Sequence, residues 1–326
     1  MKTEILKLLR ESKDYVSGQE LCERLGVSRT AIWKVINQLK EEGYEIEAVR
    51  NRGYCLKGAA DVISEAELSS QIRGQWAGKN LVCYEETDST NDRAKRLAEE
   101  GCPHGTLVVA DCQKAGKGRR GRSWESPRGT SVYMSLVLRP AILPSAASMV
   151  TLVAAMAVAE GIQKAAGLHA AIKWPNDVVV NGRKICGILT EMSAEMDCIH
   201  YVVVGIGINV GQKEFAGEIS KTATSVFIEK GSRVSRSLIA AAVMESFEKY
   251  YSLYEKAGDL SLIMDEYNSI LANNGKEVRV LAPSGDYTGM SLGIEKDGEL
   301  LVRTEDGEVK KVLSGEVSVR GIYGYV

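Results

Sequence analysis

Histidine is scarce in this 326-residue chain: His104, His169 and His200 are the whole complement, which leaves little room for a histidine-based mechanism. Seven cysteines (22, 55, 83, 102, 112, 186 and 198) are odd in number and nowhere spaced Cys-x-x-Cys. That argues against a zinc site and against a secreted disulfide framework. Charge of one sign is missing too. Lys and Arg number 41 against 43 Asp and Glu, so the molecule is no polyelectrolyte sheath for nucleic acid or anionic lipid. Any such contact must come from one local patch. No apolar core with a small-residue cleavage site follows the N-terminus. The uncharged run at 141–159 is mostly alanine, broken by Pro144, Ser145, Ser148 and Thr151. It is too weakly hydrophobic for a membrane span and reads as a buried helix. A cytoplasmic protein with no membrane partner is the expectation. With 44% hydrophobic and 26% charged residues, the chain is neither disordered nor collagen-like. Its length is roughly twice the ~150-residue domain size, so two or three domains are expected.

The first 60 residues read as a winged helix-turn-helix. Ile5, Leu6, Leu8 and Leu9 give a short amphipathic helix. Ser17-Gly18 can start a second, with Leu21, Cys22 and Leu25 on its apolar face. Gly26-Val27 breaks it, and Ser28 is placed to cap the third. That helix buries Ile32, Val35, Ile36 and Leu39 and leaves Arg29, Thr30, Trp33, Lys34 and Asn37 outside. A tryptophan there has no place in so small a core, and such a face is what major-groove reading requires. Residues 44–49 alternate as a strand, Arg50-Asn51-Arg52-Gly53 makes a basic turn, and Tyr54-Cys55-Leu56 returns. Ser28, Arg29, Thr30, Trp33, Lys34, Arg50 and Arg52 are the candidate DNA contacts. Residues 1–60 carry 11 Lys/Arg against 9 Asp/Glu, and the remainder carries 30 against 34, a mild asymmetry of the right sign. The alternative is a small helical interaction domain with a solvated charged face.

From about residue 63 the texture is mixed. Strands are expected at 81–85, 106–112, 131–138, 170–173, 178–180, 184–191 and 201–206, and helices at 91–100, 147–166 and 236–256. Asn181-Gly182 is a type I′ hairpin signal, so the sheet should be largely antiparallel or mixed and the class α+β. Gly116, Gly118 and Gly121 match G-x-G-x-x-G, yet no helix pattern follows and no acid lies about 20 residues on. No Gly-Lys-Ser/Thr ends the stretch, so it is no P-loop either. What it offers is Lys117, Arg119, Arg120 and Arg122 on a backbone able to fold over an anion. Thr87-Asp88-Ser89-Thr90-Asn91 joins a strand to a helix, where its hydroxyls would cap the helix and its N–H groups face a ligand. Lys173-Trp174-Pro175-Asn176-Asp177 ends a strand with a cation, a ring, a carbonyl and a carboxylate. Asn176 and Asp177 could hold Mg²⁺ bridging to phosphates, although Pro-Asn-Asp is also ordinary turn chemistry. Gly205-Ile206-Gly207-Ile208-Asn209 puts two glycines on one strand face, as for something flat packing there or for a bulge.

The run from Gly116 to Arg122 with Trp124, then Lys173-Trp174-Pro175-Asn176-Asp177, then Lys184-Ile185-Cys186-Gly187-Ile188-Leu189, resembles the biotin protein ligases. Residues 17–56 are similar to the winged helix of the bifunctional members, the biotin ligase/biotin-operon repressors. Residues 275–326, with turns at Ser284-Gly285-Asp286, Lys296-Asp297-Gly298 and Glu305-Asp306-Gly307, resemble their small SH3-like barrel. The resemblance implies an α+β multidomain chain. Its parts would be a winged helix-turn-helix (1–62), a mixed-sheet ligase domain related to class II synthetases (63–272), and the SH3-like domain (273–326). It also implies two reaction steps, the first with ATP and Mg²⁺. Biotin becomes biotinoyl-5′-AMP with loss of pyrophosphate, and a lysine of a biotin carboxyl carrier protein or other biotin-accepting domain then takes the biotinoyl group.

In that reading Lys184 and Arg119 are the catalytic residues, one between carboxylate and α-phosphate, the other on a loop closing over the intermediate. Ser89, Thr90, Asn91, Gln113, Lys117, Gly118, Gly187 and Gly205 join them around biotin. Arg119, Arg120, Arg122, Trp124, Lys173, Asn176, Asp177 and Asn209 would hold ATP and the adenylate, with Asn176 and Asp177 at the metal. Lys117 stands where many relatives have arginine. Segment 210–218 departs from the family's adenine-covering loop, which leaves the residue stacking on adenine open. The lipoate ligases share the fold and activation chemistry, but their lipoate-site motif has no match here.

Biotinoyl-5′-AMP is also the expected corepressor. Ordering of the 116–121 loop would favour a homodimer that reads the two half-sites of a palindromic operator. Two other readings stand beside this one. A transcription factor sensing a small ligand through a catalytically degenerate domain needs affinity but no carboxylate activation, so the presence of Lys184 with Arg119 speaks against it. An RNA-binding adenylating enzyme resembling a tRNA synthetase needs a broad basic surface, which the acidic balance of 61–326 disfavours.

Overall fold

The structure, a computed structural model, describes residues 1–12, 14–58, 60–282, 285–314, 318–321 and 325–326; the turn expected at Ser284 falls outside them. At the N-terminus, α1 (Lys2–Glu11) starts uncapped at Met1, while α2 (Gly18–Leu25) and α3 (Arg29–Glu41) begin where the sequence caps them. The Ser17 hydroxyl accepts from the Glu20 N–H at 3.0 Å and Ser28 from the Ala31 N–H at 3.3 Å. Ile5, Leu6, Leu9, Leu21, Ile32, Ile36 and Leu39 close a core, which turns Trp33 outward at 56% exposure. The antiparallel wing follows as β1 (Glu45–Val49) and β2 (Gly53–Gly58), with Asn51 left-handed at φ 64° in its turn.

A short helix, α4 (Glu65–Gln71), leads into a seven-stranded mixed sheet. Its strands are β3 (Leu81–Tyr84), β4 (Leu107–Ala110), β5 (Ser131–Leu138), β6 (Ala171–Lys173), β7 (Asp177–Val180), β8 (Arg183–Ala194) and β9 (Ile199–Asn209). The spatial order is β3-β4-β5-β9-β8-β7-β6. Only β3 and β4 pair parallel; the rest are antiparallel. Asn181 and Gly182 turn β7 into β8 with positive φ of 51° and 74°, as a type I′ turn requires. Alternation along the strands covers both faces. Val108, Val137 and Val203 pack on α5 (Thr90–Glu99), while Leu107, Val109, Leu136 and Val204 join the core under α6 (Ala147–Ala166) and, after the short α7 (Val226–Lys230), α8 (Arg236–Ala257).

Pro144–Ala166 is, among the described residues, the one helix long and apolar enough to cross a membrane, but α6 within it is largely buried in this core. Gly161 lets α6 meet α8: a Cβ there would lie 2.6 Å from Val243 Cγ2 and 2.9 Å from Val243 N. After α9 (Met264–Ser269), the C-terminal unit is an all-antiparallel sheet. Its strands β10 (Glu277–Leu281), β11 (Tyr287–Ile294), β12 (Leu300–Arg303), β13 (Val309–Val312) and β14 (Ser318–Gly321) are ordered β13-β12-β11-β10-β14.

Two buried charges fasten the winged helix to the sheet domain. Glu67 on α4 is fully buried and accepts from Arg10 (2.6 Å), Tyr44 (2.5 Å), Gln71 (2.6 Å) and Ser237 (3.0 Å). Arg236 bonds Asp61 (3.2 Å) on one side and Asp111 (2.5 Å) on the other. Asp111 stands two residues before Gln113.

Candidate functional site

The glycine stretch is a folded tongue. Gly118 N–H donates to Arg122 O (2.7 Å) and Trp124 N–H to Gly116 O (2.8 Å), and Arg120 at the tip is left-handed at φ 58°. This bend sends the Trp124 side chain back across the sheet. Gly187 on β8 and Gly207 on β9 are cross-strand partners, and a Cβ on either would lie 2.9 Å from the indole. The flat group expected on the glycine strand is therefore the protein's own Trp124 ring, and β9 runs there without a bulge. Gly205 serves a different neighbour, since its Cβ would sit 2.1 Å from Asn91 Oδ1.

Below the tongue lies a narrow slot that includes Ser89, Thr90, Gln113, Lys117, Gly118, Ile206 and Gly205. The expectation that the hydroxyls here cap α5 fails. Ser89 occupies the N-cap position but makes no cap bond. Gln113 caps from across the fold instead: its Oε1 accepts from the Thr90 N–H (2.9 Å) and the Thr90 hydroxyl (3.1 Å). Asp88 accepts from the Ser89 N–H at 2.8 Å, and that bond with the Thr87 hydroxyl holds its carboxyl down at about 2. Asn91 is a wall rather than a free ligand group. Its amide donates to Glu191 (2.8 Å) and Leu189 O (3.2 Å), and its oxygen accepts from Ser135 at 2.6 Å. Lys117 is latched to Asp92 at 2.7 Å.

The slot opens into a second, larger pocket of about 820 Å³, and the two share Gly118, Arg119, Trp124, Asn176 and Lys184. Lys173, Arg120, Arg122, Lys221 and Arg320 make the larger pocket cationic. Lys184 Nζ lies 2.6 Å from Asp177 Oδ1 and 5.3 Å from the centre of the Trp124 ring. Arg119 donates to Asn176 Oδ1 (2.8 Å) and to Ser314 O (2.5 Å), so the tongue is tied to the C-terminal sheet domain. Burial lowers the Lys173 ammonium to about 8; Asp177 opposes this, while Lys184, Arg320 and Arg122 add to it. Burial also pushes the Cys186 thiol up, so it offers no thiolate nucleophile beside Lys184.

Asn209 is the expected site residue that neither pocket includes. Its amide donates to Thr224 O at 3.0 Å and fastens the end of β9. For magnesium, the side-chain oxygens of Asn176 and Asp177 are already engaged by Arg119, Lys184 and Tyr325. Among the described residues no group of three or more His, Cys, Asp or Glu is placed to hold a metal. This donor set does not fit a resident metal cage; it fits an ion that arrives chelated by phosphate oxygens. The sequence did not single out Ser135 and Tyr325, which reach the site from elements distant along the chain, or Asp92, which follows Asn91 on α5 and is revealed only by its bond to Lys117.

On the winged helix, Ser28 at the N-cap of α3 and Arg29, Thr30, Trp33 and Lys34 along it are exposed together, and Arg50 and Arg52 are exposed on the wing. Arg29 donates to Gln19 (2.9 Å). Arg52 pairs with Asp14 (3.2 Å) and lies 4.3 Å over the Tyr15 ring.

Residues 83–209 match the biotin/lipoate A/B protein ligase family, residues 2–55 an HTH domain and residues 275–320 the biotin protein ligase C terminal domain. The chain is 39% identical over 324 residues to the bifunctional ligase/repressor BirA of Bacillus subtilis, covering 98% of each. It is 31% identical over 311 residues to that of Escherichia coli, covering 94% of each. Among solved structures, the biotin protein ligase of Aquifex aeolicus in complex with biotin and ATP is similar at a TM-score of 0.65 and 33% identity, across 74% of this chain and 99% of that one. The chain belongs to the biotin protein ligases, in their bifunctional ligase/repressor form.

Proposed function

We infer that the chain is an ATP-dependent biotin–protein ligase that also acts as a DNA-binding repressor. The observation that carries the enzymatic half is the pair of adjoining pockets with Arg119, Asn176 and Lys184 in their common wall. The slot, polar at Ser89, Thr90 and Gln113 and apolar at Ile206, suits biotin. The cationic pocket suits a nucleoside triphosphate. A biotin carboxylate oxygen attacks the α-phosphorus, the bond to pyrophosphate breaks, and biotinoyl-5′-AMP forms. The neutral amine of an acceptor lysine then attacks the acyl carbon, AMP leaves with the bonding electrons, and the amine sheds a proton.

Both partners of the first step are anions, so a fixed cation between them lowers the barrier most. Lys184 is that cation. Arg119 holds the tongue over the mixed anhydride and keeps water from it. Arg120, Arg122 and Lys173 serve the polyphosphate, on which Mg²⁺ enters, and Trp124 walls the nucleotide. Asn91, Gly187 and Gly205 shape the slot, with Lys117 and Gly118 of the tongue above it. We read the domain limits as 1–62, 63–272 and 273–326, with an SH3-like barrel last and a class II synthetase relative in the middle. The protein works in the cytoplasm, away from membranes, on a biotin carboxyl carrier protein or similar acceptor.

Pyrophosphate release that requires biotin and ATP together tests the ligase; release without biotin, or none at all, defeats it. For the repressor, a single winged helix makes few phosphate contacts, so the adenylate should favour a homodimer that reads a palindromic operator of biotin genes. Gel shift and sedimentation with and without biotin and ATP should show tighter binding by a ligand-promoted dimer. Equal affinity in both conditions would break that coupling and leave the ligase untouched.

A further inference from the structure

Lys173 and Asp177 are cross-strand partners in the β6–β7 pair, so their side chains leave the same face of the sheet. Left alone, an ammonium and a carboxylate in that arrangement would pair directly. Tyr325 touches both instead. Its ring centre lies 3.4 Å from Lys173 Nζ, and its hydroxyl donates to Asp177 Oδ2 at 2.5 Å. The other Asp177 oxygen is 2.6 Å from Lys184 Nζ. We propose that Tyr325 is a positioning residue of the nucleotide step: a spacer that keeps Lys173 unneutralised for the polyphosphate and keeps Asp177 turned toward Lys184.

The two halves of the side chain do different work. The ring face offers Lys173 a cation–π contact in a desolvated place, where Lys184, Arg122 and Arg320 all repel it and Asp177 opposes them. The hydroxyl satisfies the Asp177 oxygen that faces away from Lys184, so the carboxylate neither swings to Lys173 nor bears wholly on Lys184. Tyr325 lines the cationic pocket and is absent from the slot lining, so the nucleotide and not biotin should feel its loss.

This inference rests on the ligase reading, and two readouts keep the two apart. In Tyr325→Leu, Lys173 and Asp177 should close on each other. KM for ATP should then rise about tenfold, the effect of losing roughly one charge-assisted contact, while biotin affinity without ATP stays at the wild-type value. Tyr325→Phe retains the spacer ring and should restore KM for ATP, yet adenylate formation should remain slow because Asp177 has lost its donor. Independently of any reaction, NMR titration of the Lys173 ammonium should give an inflection near 8 in the wild type and a higher one in Tyr325→Leu, where a carboxylate has become its neighbour. A Lys173 inflection that does not move, Phe and Leu variants that behave alike, or parallel loss of biotin binding overturns the spacer role. Absence of biotin-dependent pyrophosphate release from the wild-type protein overturns the ligase reading instead.

Discussion

Replacing Gly207 by alanine puts a methyl group where the Trp124 indole now rests. The new Cβ would lie 2.9 Å from Cε2 and Nε1 and 3.1 Å from Cζ2. Carbon contacts are comfortable at roughly 3.5–4.0 Å, so the ring must retreat by about 0.5–1 Å. The ring also lies over Gly187 across the strand pair, and its backbone N–H is held by the 2.8 Å bond to Gly116 O, so any retreat of the indole disturbs the tongue. Overpacking of this kind costs about 1–3 kcal/mol, or roughly 5- to 150-fold in a binding constant. Since Trp124 walls the nucleotide in this account, that loss should appear in the affinity for a non-hydrolysable biotinoyl-adenylate analogue, measured by titration calorimetry. Biotin alone meets Trp124 only at the shared wall and is also held by Ser89, Thr90 and Gln113, so it should lose less. An alanine variant that binds the analogue as tightly as wild type would refute the role given to the indole.

Other outcomes follow from the same geometry. Arg236→Met removes the guanidinium shared by Asp61 and Asp111, leaving Asp111 its longer pair with Arg128 (3.6 Å) and Asp61 the backbone N–H of residue 236 (2.9 Å). Because both carboxylates keep some access to water, at 40% and 17% exposure, the loss should be about 2–3 kcal/mol rather than the full cost of a broken buried pair, read as a lower urea midpoint. The Lys173 ammonium, lowered to about 8, is charged below that pH and neutral above it. So kcat/KM for ATP should fall as pH rises through about 8, and Lys173→Met should be low and flat; an unchanged profile in that variant would contradict the assignment. The same depression relieves a buried charge as pH climbs from about 8 toward 10.5, so this lysine alone should add stability over that range in denaturant titrations. Arg119→Gly cuts the ties to Asn176 and Ser314, and should still form adenylate but release it, labelling bystander lysines; full retention of the intermediate would contradict the role of the tongue.

Much of the fold was legible because it is written locally. The i, i+3, i+4, i+7 spacing of Ile32, Val35, Ile36 and Leu39 forces Trp33 outward, and Asn181-Gly182 permits little but a tight hairpin. The site was legible only as pieces. Ser89 looks like a cap in sequence, yet Gln113, 23 residues away, takes the Thr90 N–H, so the cap is a tertiary contact that no window of sequence contains. Of the two glycines on β9 only Gly207 meets a flat neighbour, while Gly205 makes room for Asn91, and the identity of the ring depended on the bend at Arg120, which brings Trp124 over Gly187 and Gly207 on two strands at once. Tyr325 reaches Asp177 from 148 residues away, and nothing in its neighbours announces it. Asn209 stands at the strand end as expected, but its amide turns to Thr224 O, a contact between distant segments that the motif does not announce.

The role that carries the chemistry is that of Lys184, which joins two anions into biotinoyl-5′-AMP. It is tested most directly by incubating the purified protein with biotin, ATP and Mg²⁺, removing free ligands, denaturing it and identifying the released small molecule by mass spectrometry. Wild type should release biotinoyl-5′-AMP, and Lys184→Ala should form it on the order of 10²–10³-fold more slowly, the usual effect of deleting one electrostatic stabiliser. Unmodified biotin from the wild type, or adenylate formed at the normal rate by the Lys184→Ala variant, would contradict the account.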